Sequence, residues 1–221
     1  MTKRRRERSS SSGRAKRLMR FHSIRLALCG CGIITILRGK TMRLETGKIY
    51  HLYTRSNKEE RVFKRPSDYR FFLVRYRHYI APFVSTIAYC LMPTHFHLVI
   101  RIDTKDCDLL KINYAALLRG YTRTMNRRGH RHGSLFQPRS KAKEIRDERH
   151  LMTVILYVHR NPVAKQVKRM EEWEYSSYPD LAGFRKGALP DREFMKKYFA
   201  TEEEFREFSE RALEGRFKAV R

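Results

Sequence analysis

"VSTIAYCLMPTHFHLVIRI", residues 84–102, carries the most regular pattern in the sequence. Two runs rich in β-forming residues, 84–92 and 96–102, stand on either side of Pro93 and Thr94, and this arrangement predicts an antiparallel hairpin. Successive side chains of a strand point to opposite faces of a sheet. His95 and His97 are therefore expected to share one face, with Phe96 on the other.

This His-x-His pair has two interpretations. A single histidine at the start of a strand is ordinarily a partly buried side chain with a local hydrogen bond. Two imidazoles on one strand face are also suited to a metal ion or a phosphate. The spacing leaves both interpretations open.

Periodic segments continue on both sides of the hairpin. The helix that precedes it has Ser67 or Asp68 as its expected N-cap, and the last helix is expected to end near Asn161, before Pro162. The order β-α-β-β-α-β is typical of an α+β, ferredoxin-like fold with an antiparallel sheet, followed here by an extra helix and a helical tail. The predicted elements outside the hairpin are a strand (48–56), a helix (66–80), a helix (108–128), a loop (129–140), a strand (141–146) and a helix (147–163).

The charge balance points to a polyanionic partner. The chain has 49 Lys and Arg against 23 Asp and Glu, a formal net charge of +26, which favours nucleic acid or an anionic membrane surface. A four-stranded sheet with basic and aromatic residues also suits an RNA-recognition domain, but the RNP1 pattern of those domains is missing. The four cysteines have no C-x-x-C spacing, so we expect a reducing, cytoplasmic setting.

The N-terminal segment differs in composition from the rest of the chain. It begins basic and serine-rich, and residues 26–37 form an uncharged run of twelve, shorter than the roughly 20 residues that span a bilayer. The run resembles the apolar part of a signal peptide, but no convincing small-residue cleavage site follows. We expect no membrane span, and Met42 is a plausible true start. The predicted organisation is an N-terminal extension outside the core (1–43), a single domain (44–185) and a helical tail (186–221).

A second group of polar residues lies on the last predicted helix. Tyr157 and Asn161 are one helical turn apart and share a face. Taken singly, the tyrosine reads as a core residue and the asparagine as a helix cap. Combined with His95 and His97, they suggest a metal-assisted phosphoryl-transfer centre, with Tyr157 as nucleophile and Asn161 as a third ligand for Mg²⁺ or Mn²⁺.

The phrases "MPTHFH" and "YVHRNPVAK" together resemble the single-tyrosine HUH transposases, and more narrowly the REP-associated tyrosine transposases. The similarity extends over residues 44–185 and includes "YHLYTRSNKEERVF", "GSLFQPRSKAKEI" and "WEYSSY". It implies that His95, His97 and Asn161 hold the metal and that Tyr157 cleaves DNA through a 5′-phosphotyrosine intermediate. Thr94 and the "QPRS" sequence depart from the usual pattern of the group.

The resemblance also implies a partner, a setting and two rival functions. The expected partner is single-stranded DNA with hairpin ends, bound in the bacterial cytoplasm by a monomer or homodimer. The rivals are a non-catalytic protein that binds hairpin DNA or RNA, and a metal-dependent nuclease that uses water in place of the tyrosine. Basic side chains expected to follow the DNA backbone are Arg127, Arg128, Arg131, Arg139, Lys141 and Lys143.

Other histidines and aromatic residues receive weaker predictions. His130 and His132 repeat the His-x-His spacing in a glycine-flanked loop, where phosphate contact or plain exposure is expected. His150 is expected to support Tyr157 or to pack, and His159 to face away from it. The three aromatic residues near 175 are expected either to stack on unpaired bases or to pack in the core, and they are Trp173, Tyr175 and Tyr178.

Overall fold

The computed structural model describes residues 42–166 and 168–213. The apolar run 26–37 and nearly all of the predicted extension lie outside the described residues. Within the described ranges, no helix combines the length and apolar content needed to cross a membrane.

The predicted order of strands and helices is confirmed, with most bounds within one residue. The strands are β1 (Ile49–Arg55), β2 (Val84–Met92), β3 (His95–Ile102) and β4 (Lys141–Ile145). The main helices are α1 (Pro66–Tyr79), α2 (Cys107–Arg128) and α3 (Glu148–Ala164). Three further helices follow, α4 (Tyr178–Leu181), α5 (Arg192–Met195) and α6 (Glu202–Leu213).

The four strands form one antiparallel sheet in the order β2-β3-β1-β4. This is the order of a ferredoxin-like sheet, in which the two central strands come from the two β-α-β halves. Consecutive strands β2 and β3 form the hairpin that the apolar runs predict, with a turn at residues 93 and 94. The α+β fold class is therefore confirmed.

The two faces of the sheet are different in character. On one face, Phe96 is fully buried against Phe72 of α1, with ring centroids 4.9 Å apart, and Phe72 in turn packs edge-on against Tyr121 of α2. The opposite face carries His95 and His97 and is covered in part by α3, which packs on β2 and β3. The alternation of the β3 side chains thus separates an aromatic core from a polar face.

Helix α1 begins at the predicted residue, but its N-cap differs from the expected one. Its N-cap is Arg65 rather than Ser67 or Asp68, and Pro66 occupies the first turn, where its missing N–H costs nothing. The Asp68 carboxylate accepts hydrogen bonds from the backbone N–H groups of Lys64 and Arg65, at 3.1 and 2.9 Å. Asp68 therefore stabilises the helix start from inside the first turn.

The segment after α3 closes the free edge of β2. The Trp173 indole N–H donates to the carbonyl of Leu91 at 3.1 Å, and the backbone N–H of Ser177 donates to the carbonyl of Tyr89 at 2.9 Å. Trp173 and Tyr178 are buried, so the core alternative is correct for both. The half-buried Tyr175 stacks on the ring of Tyr69, with centroids 3.8 Å apart.

Candidate active site

Strand β3 and its neighbour β1 place the two histidines. In the antiparallel register His97 lies opposite Tyr53 and His95 lies opposite Arg55. His97 is buried and His95 is half-buried, and their rings meet edge to face with centroids 5.0 Å apart. The prediction that the pair shares one face, away from Phe96, is confirmed.

Helix α3 continues through Pro162 to Ala164, so the predicted end at Asn161 is wrong. A proline inside a helix lacks the N–H that would bond the carbonyl four residues earlier, here that of Val158. The Nδ2 group of Asn161 lies 3.4 Å from the Val158 carbonyl and so partly replaces the missing donor. It also donates to the Tyr157 carbonyl at 2.8 Å.

The same bonds orient the Asn161 side chain. With Nδ2 committed to backbone carbonyls, the amide oxygen Oδ1 is directed toward the sheet, 3.4 Å from Nε2 of His95. Asn161 is itself buried. An oxygen acceptor is therefore fixed beside the histidine pair, which is the position that a third ligand requires.

Tyr157 lies one turn earlier and is 51 % exposed. The other eleven tyrosines are all buried or half-buried. The Tyr157 ring meets that of His97 edge to face at 5.4 Å. The exposure excludes a core role, and a solvent-accessible phenol thus stands beside the two imidazoles.

The histidines of this face are neutral at physiological pH. Burial lowers the pKa of His97 to about 2, with further lowering by the neighbouring His51 and His95. Burial also lowers the pKa of His95, an effect that Arg55 and Lys165 strengthen and the bond to Asn161 opposes. Metal coordination needs neutral imidazole, so the local environment keeps both side chains in the form that binds.

The residues present fit a divalent metal. Nε2 of His97 is buried without a hydrogen-bond partner, a costly arrangement that a ligand in the site would relieve. In the part of the chain that the structure describes, no three His, Cys, Asp or Glu side chains are grouped as metal ligands. The third protein ligand would accordingly be an amide oxygen, that of Asn161, and two imidazoles with one amide suit Mn²⁺ better than Mg²⁺.

Two comparisons with known proteins bear on this site. A Haemophilus influenzae protein assigned to the REP-associated tyrosine transposases is 32 % identical over 104 residues, which is 42 % of this chain and 58 % of the relative. The solved structure of a REP-associated tyrosine transposase bound to a REP hairpin superposes with a TM-score of 0.54 at 16 % identity. It covers 69 % of this chain and 94 % of that one, whereas no protein-family profile matches.

The resemblance to REP-associated tyrosine transposases is confirmed. The sequence match spans little more than half of the H. influenzae relative, and the structural match demonstrates the shared fold. The residue roles inferred above stay predictions that rest on the geometry of this chain.

The basic residues predicted to contact DNA fall into separate groups. Arg127 and Arg131 line a groove of about 930 Å³ between α2 and the loop that follows it. Lys141 and Lys143 lie on β4, opposite Tyr53 and His51 of β1, and thus beside the histidine face. Arg139 is exposed in the loop before β4.

Ion pairs occupy two of these side chains. Arg128 binds Asp68, with Nη1 and Oδ1 3.3 Å apart, and its guanidinium lies over the ring of Phe71. Arg131 binds Glu60 with Nη2 and Oε2 2.6 Å apart. Arg128 thus has a structural partner on α1, and Arg131 is available to an anion only in competition with Glu60.

Two sets of residues were missed by the sequence analysis. Arg119 and Arg123 extend the row of Arg127 along one face of α2, and the spacing of four residues could have revealed them. His51 on β1 lies against His97, with Nε2 of His51 and Nδ1 of His97 2.9 Å apart. The alternation of "YHLYTR" indicates which residues share its face, but only the register across strands shows which histidine it meets.

The histidines with weaker predictions make no described hydrogen bond or ring contact with His95, His97 or Tyr157. His150 is exposed at the start of α3 and has no described contact with Tyr157. His159 is fully buried and shares a hydrogen bond of 2.7 Å with the Ser177 hydroxyl, so the prediction that it faces away from Tyr157 is confirmed. His130 and His132 are exposed and line the groove.

Proposed function

We propose that this chain is a metal-dependent DNA strand transferase that cleaves and rejoins single-stranded DNA through a covalent bond to Tyr157. The observation that carries the proposal is an exposed phenol beside two neutral imidazoles, one of which has a buried nitrogen without a partner. The resemblance to REP-associated tyrosine transposases supports it from an independent direction.

Each residue has a defined part in the reaction. The Tyr157 oxygen attacks a backbone phosphorus and loses its proton, while the bond from phosphorus to the 3′-oxygen breaks and that oxygen gains a proton. The products are a 5′-phosphotyrosine and a free 3′-hydroxyl. Because the phosphodiester energy is retained in the tyrosine ester, a 3′-hydroxyl can attack it later and rejoin the strand without ATP.

His95, His97 and Asn161 would hold the divalent ion. When bound, such an ion polarises the phosphate and offsets the negative charge that develops in the transition state. In support of this, Oδ1 of Asn161 lies 3.4 Å from Nε2 of His95, the rings of His95 and His97 are in contact, and the exposed Tyr157 ring meets that of His97. A phosphate between the metal ligands and Tyr157 would be in reach of both.

The groove along α2 supplies a path for the DNA backbone. Its described lining contains Arg119, Arg123 and Arg127 and no carboxylate, and none of the three forms a salt bridge with a described residue. Successive arginines four residues apart rise about 6 Å along the helix, so they form a continuous positive strip. Such strips give most of the affinity for nucleic acid.

The groove borders the end of the sheet that carries His95. Its lining residue Phe136 bridges to Ser56 just beyond β1, and the Ser56 N–H donates to the Thr94 carbonyl at 2.8 Å, next to His95. We infer that the groove holds a structured DNA end while the single strand crosses to Tyr157; the transposase structure of similar fold was solved bound to a REP hairpin.

Covalent capture of DNA tests the proposal. The full chain is incubated with Mn²⁺ and single-stranded DNA from the flanks of its own gene, labelled at the 3′ end, and a denaturing gel is examined for a band of protein mass. Tyr157→Phe should remove the adduct and the cleavage, because it deletes only the attacking hydroxyl. Hairpin binding should change by less than about twofold, since phosphate contacts dominate affinity.

Tyr53→Phe is the matched control, because the Tyr53 ring also lies close to His97, at 5.7 Å, and belongs to the same face. It should keep the adduct. Cleavage without any adduct in the wild-type protein would favour a water-using nuclease. Binding without cleavage in the wild-type protein would favour a non-catalytic hairpin-binding protein. Either result would refute the proposal.

A further inference from the structure

Among the described residues, His51 is the one whose side chain hydrogen-bonds to the imidazole of His97. Nε2 of His51 and Nδ1 of His97 are 2.9 Å apart, and the two rings are stacked with centroids 5.1 Å apart. Both side chains are buried, with exposed fractions of 7 % and 3 %. Burying a charged imidazole without an opposing charge is costly, so both rings are in the neutral form.

Two neutral imidazoles joined by one hydrogen bond must divide the roles of donor and acceptor between them. A neutral ring has one N–H and one lone pair, so one of the facing nitrogens donates and the other accepts. Either direction satisfies this bond taken alone. The second nitrogen of His97 distinguishes the two directions.

Nε2 of His97 is buried and has no hydrogen-bond partner. If His51 donated to Nδ1 of His97, the proton of His97 would lie on Nε2, as a buried donor with nothing to receive it. If His97 donates from Nδ1, its proton is used in the 2.9 Å bond and Nε2 presents a lone pair to the site. Leaving a buried donor unpaired is the costlier arrangement, so the second direction is favoured.

We propose that His51 is a positioning residue that holds His97 in the Nδ1–H tautomer and thereby directs the Nε2 lone pair toward the phosphate-metal site. This inference rests on the metal centre of the proposed function. In metal sites the second ring nitrogen of a ligating histidine usually donates to a carboxylate, a carbonyl or water, which fixes the tautomer and the ring orientation. Here the acceptor is the imidazole of His51.

The strand register makes His51 suited to this role. His51 lies opposite Val99 on β3, two residues beyond His97, and opposite Lys143 on β4. Its ring also stacks on Tyr53 with centroids 4.8 Å apart and meets Tyr157 edge to face at 6.0 Å. The His51 ring, which carries the acceptor nitrogen Nε2, is thus in contact with Tyr53 and Tyr157, whose rings border the site.

Nitrogen-15 NMR of the metal-free full chain tests the tautomer directly. Long-range proton-nitrogen spectra distinguish a protonated ring nitrogen from one with a lone pair, and His97→Gln identifies the His97 signals. We expect His97 to carry its proton on Nδ1. A proton on Nε2 in the wild-type protein would overturn the inference, whether or not any variant folds.

Two variants test the consequence for metal binding. His51→Phe keeps an aromatic ring in the stack but removes the acceptor, so the proton of His97 should move to Nε2 and the Kd for Mn²⁺ should rise about 10–100-fold. His51→Gln restores an acceptor oxygen and should keep the Kd within about threefold of the wild-type value. Wild-type affinity in His51→Phe would contradict the positioning role.

Different results would refute the metal centre and the positioning role of His51. A wild-type protein that shows the Nδ1–H tautomer but binds no Mn²⁺ would refute the metal centre and still support the action of His51 on His97. A wild-type protein that binds Mn²⁺ with His97 protonated on Nε2 in the free form would refute the positioning role and keep the metal centre.

Discussion

The chain contains two His-x-His sequences of identical spacing, His95–His97 and His130–His132, and the fold treats them in opposite ways. The first lies on β3, with His97 buried against His51 and with Asn161 of α3 next to His95. The second lies in the exposed loop after α2, where His130 adopts a left-handed backbone conformation with φ 47°. Identical spacing therefore occurs once in a largely buried group of polar side chains and once in a solvated loop.

The difference lies in what surrounds each pair. The strand pair has neighbours on both adjoining strands and a helix across its face, so its rings are desolvated, neutral and held in defined directions. The loop pair lines a groove of basic side chains, whose described lining holds no carboxylate, cysteine or further histidine. A metal site needs convergent donors, whereas a surface that contacts phosphates needs only charge.

The largest expected effect comes from removing a histidine of the strand pair. His97→Ala should lower Mn²⁺-dependent cleavage more than about 100-fold, beyond what the loss of an outer-shell partner usually costs. Hairpin affinity should stay within about threefold, because phosphate contacts dominate it. Cleavage of labelled single-stranded DNA and a filter-binding titration measure the two quantities.

His132→Ala is the matched control in the loop pair, and both quantities should stay within about twofold of wild type. Cleavage at the normal rate in His97→Ala would show that the strand pair is structural. Loss of cleavage in His132→Ala would move the metal site to the loop.

An intermediate effect is expected from the arginines of the groove. Arg123→Gln should weaken hairpin binding equally across sequences and reduce the slope of log affinity against log salt by about 1, the signature of one lost phosphate contact. Binding titrations at several salt concentrations provide the slope. Arg211→Gln removes the same charge from α6, where Arg211 pairs with Glu207, and should leave the slope unchanged. Equal slopes for both variants would show that the groove does not bind DNA.

The smallest effect concerns the conformation of the loop pair. His130→Gly should raise the free energy of unfolding by up to about 1 kcal/mol, because a left-handed backbone strains every residue with a Cβ. His132 has no positive φ, so His132→Gly should lower stability by about 0.4–1 kcal/mol through a more flexible unfolded chain. Urea denaturation measures both, and destabilisation by His130→Gly would show that this side chain makes a contact that matters.

Much of the fold follows from local patterns. The apolar runs at 84–92 and 96–102 predicted the hairpin, and helical spacing predicted α1, α2 and the start of α3 to within one residue. The errors concern residues that can each start or stop a helix. Arg65 rather than Ser67 or Asp68 is the N-cap of α1, and α3 continues through Pro162, with the Asn161 amide next to the freed Val158 carbonyl.

For the candidate site, too, local spacing predicted one part and left another part to the tertiary structure. Spacing predicted that His95 shares a strand face with His97 and that Tyr157 shares a helix face with Asn161, because side chains two apart on a strand or four apart on a helix share a face in any fold. The family resemblance then implied their roles. Spacing could not supply the direction of the Asn161 oxygen, the exposure of Tyr157 or the contact between His51 and His97. Those depend on strand register and on how a helix crosses a sheet, which are long-range packing properties that no short segment encodes alone.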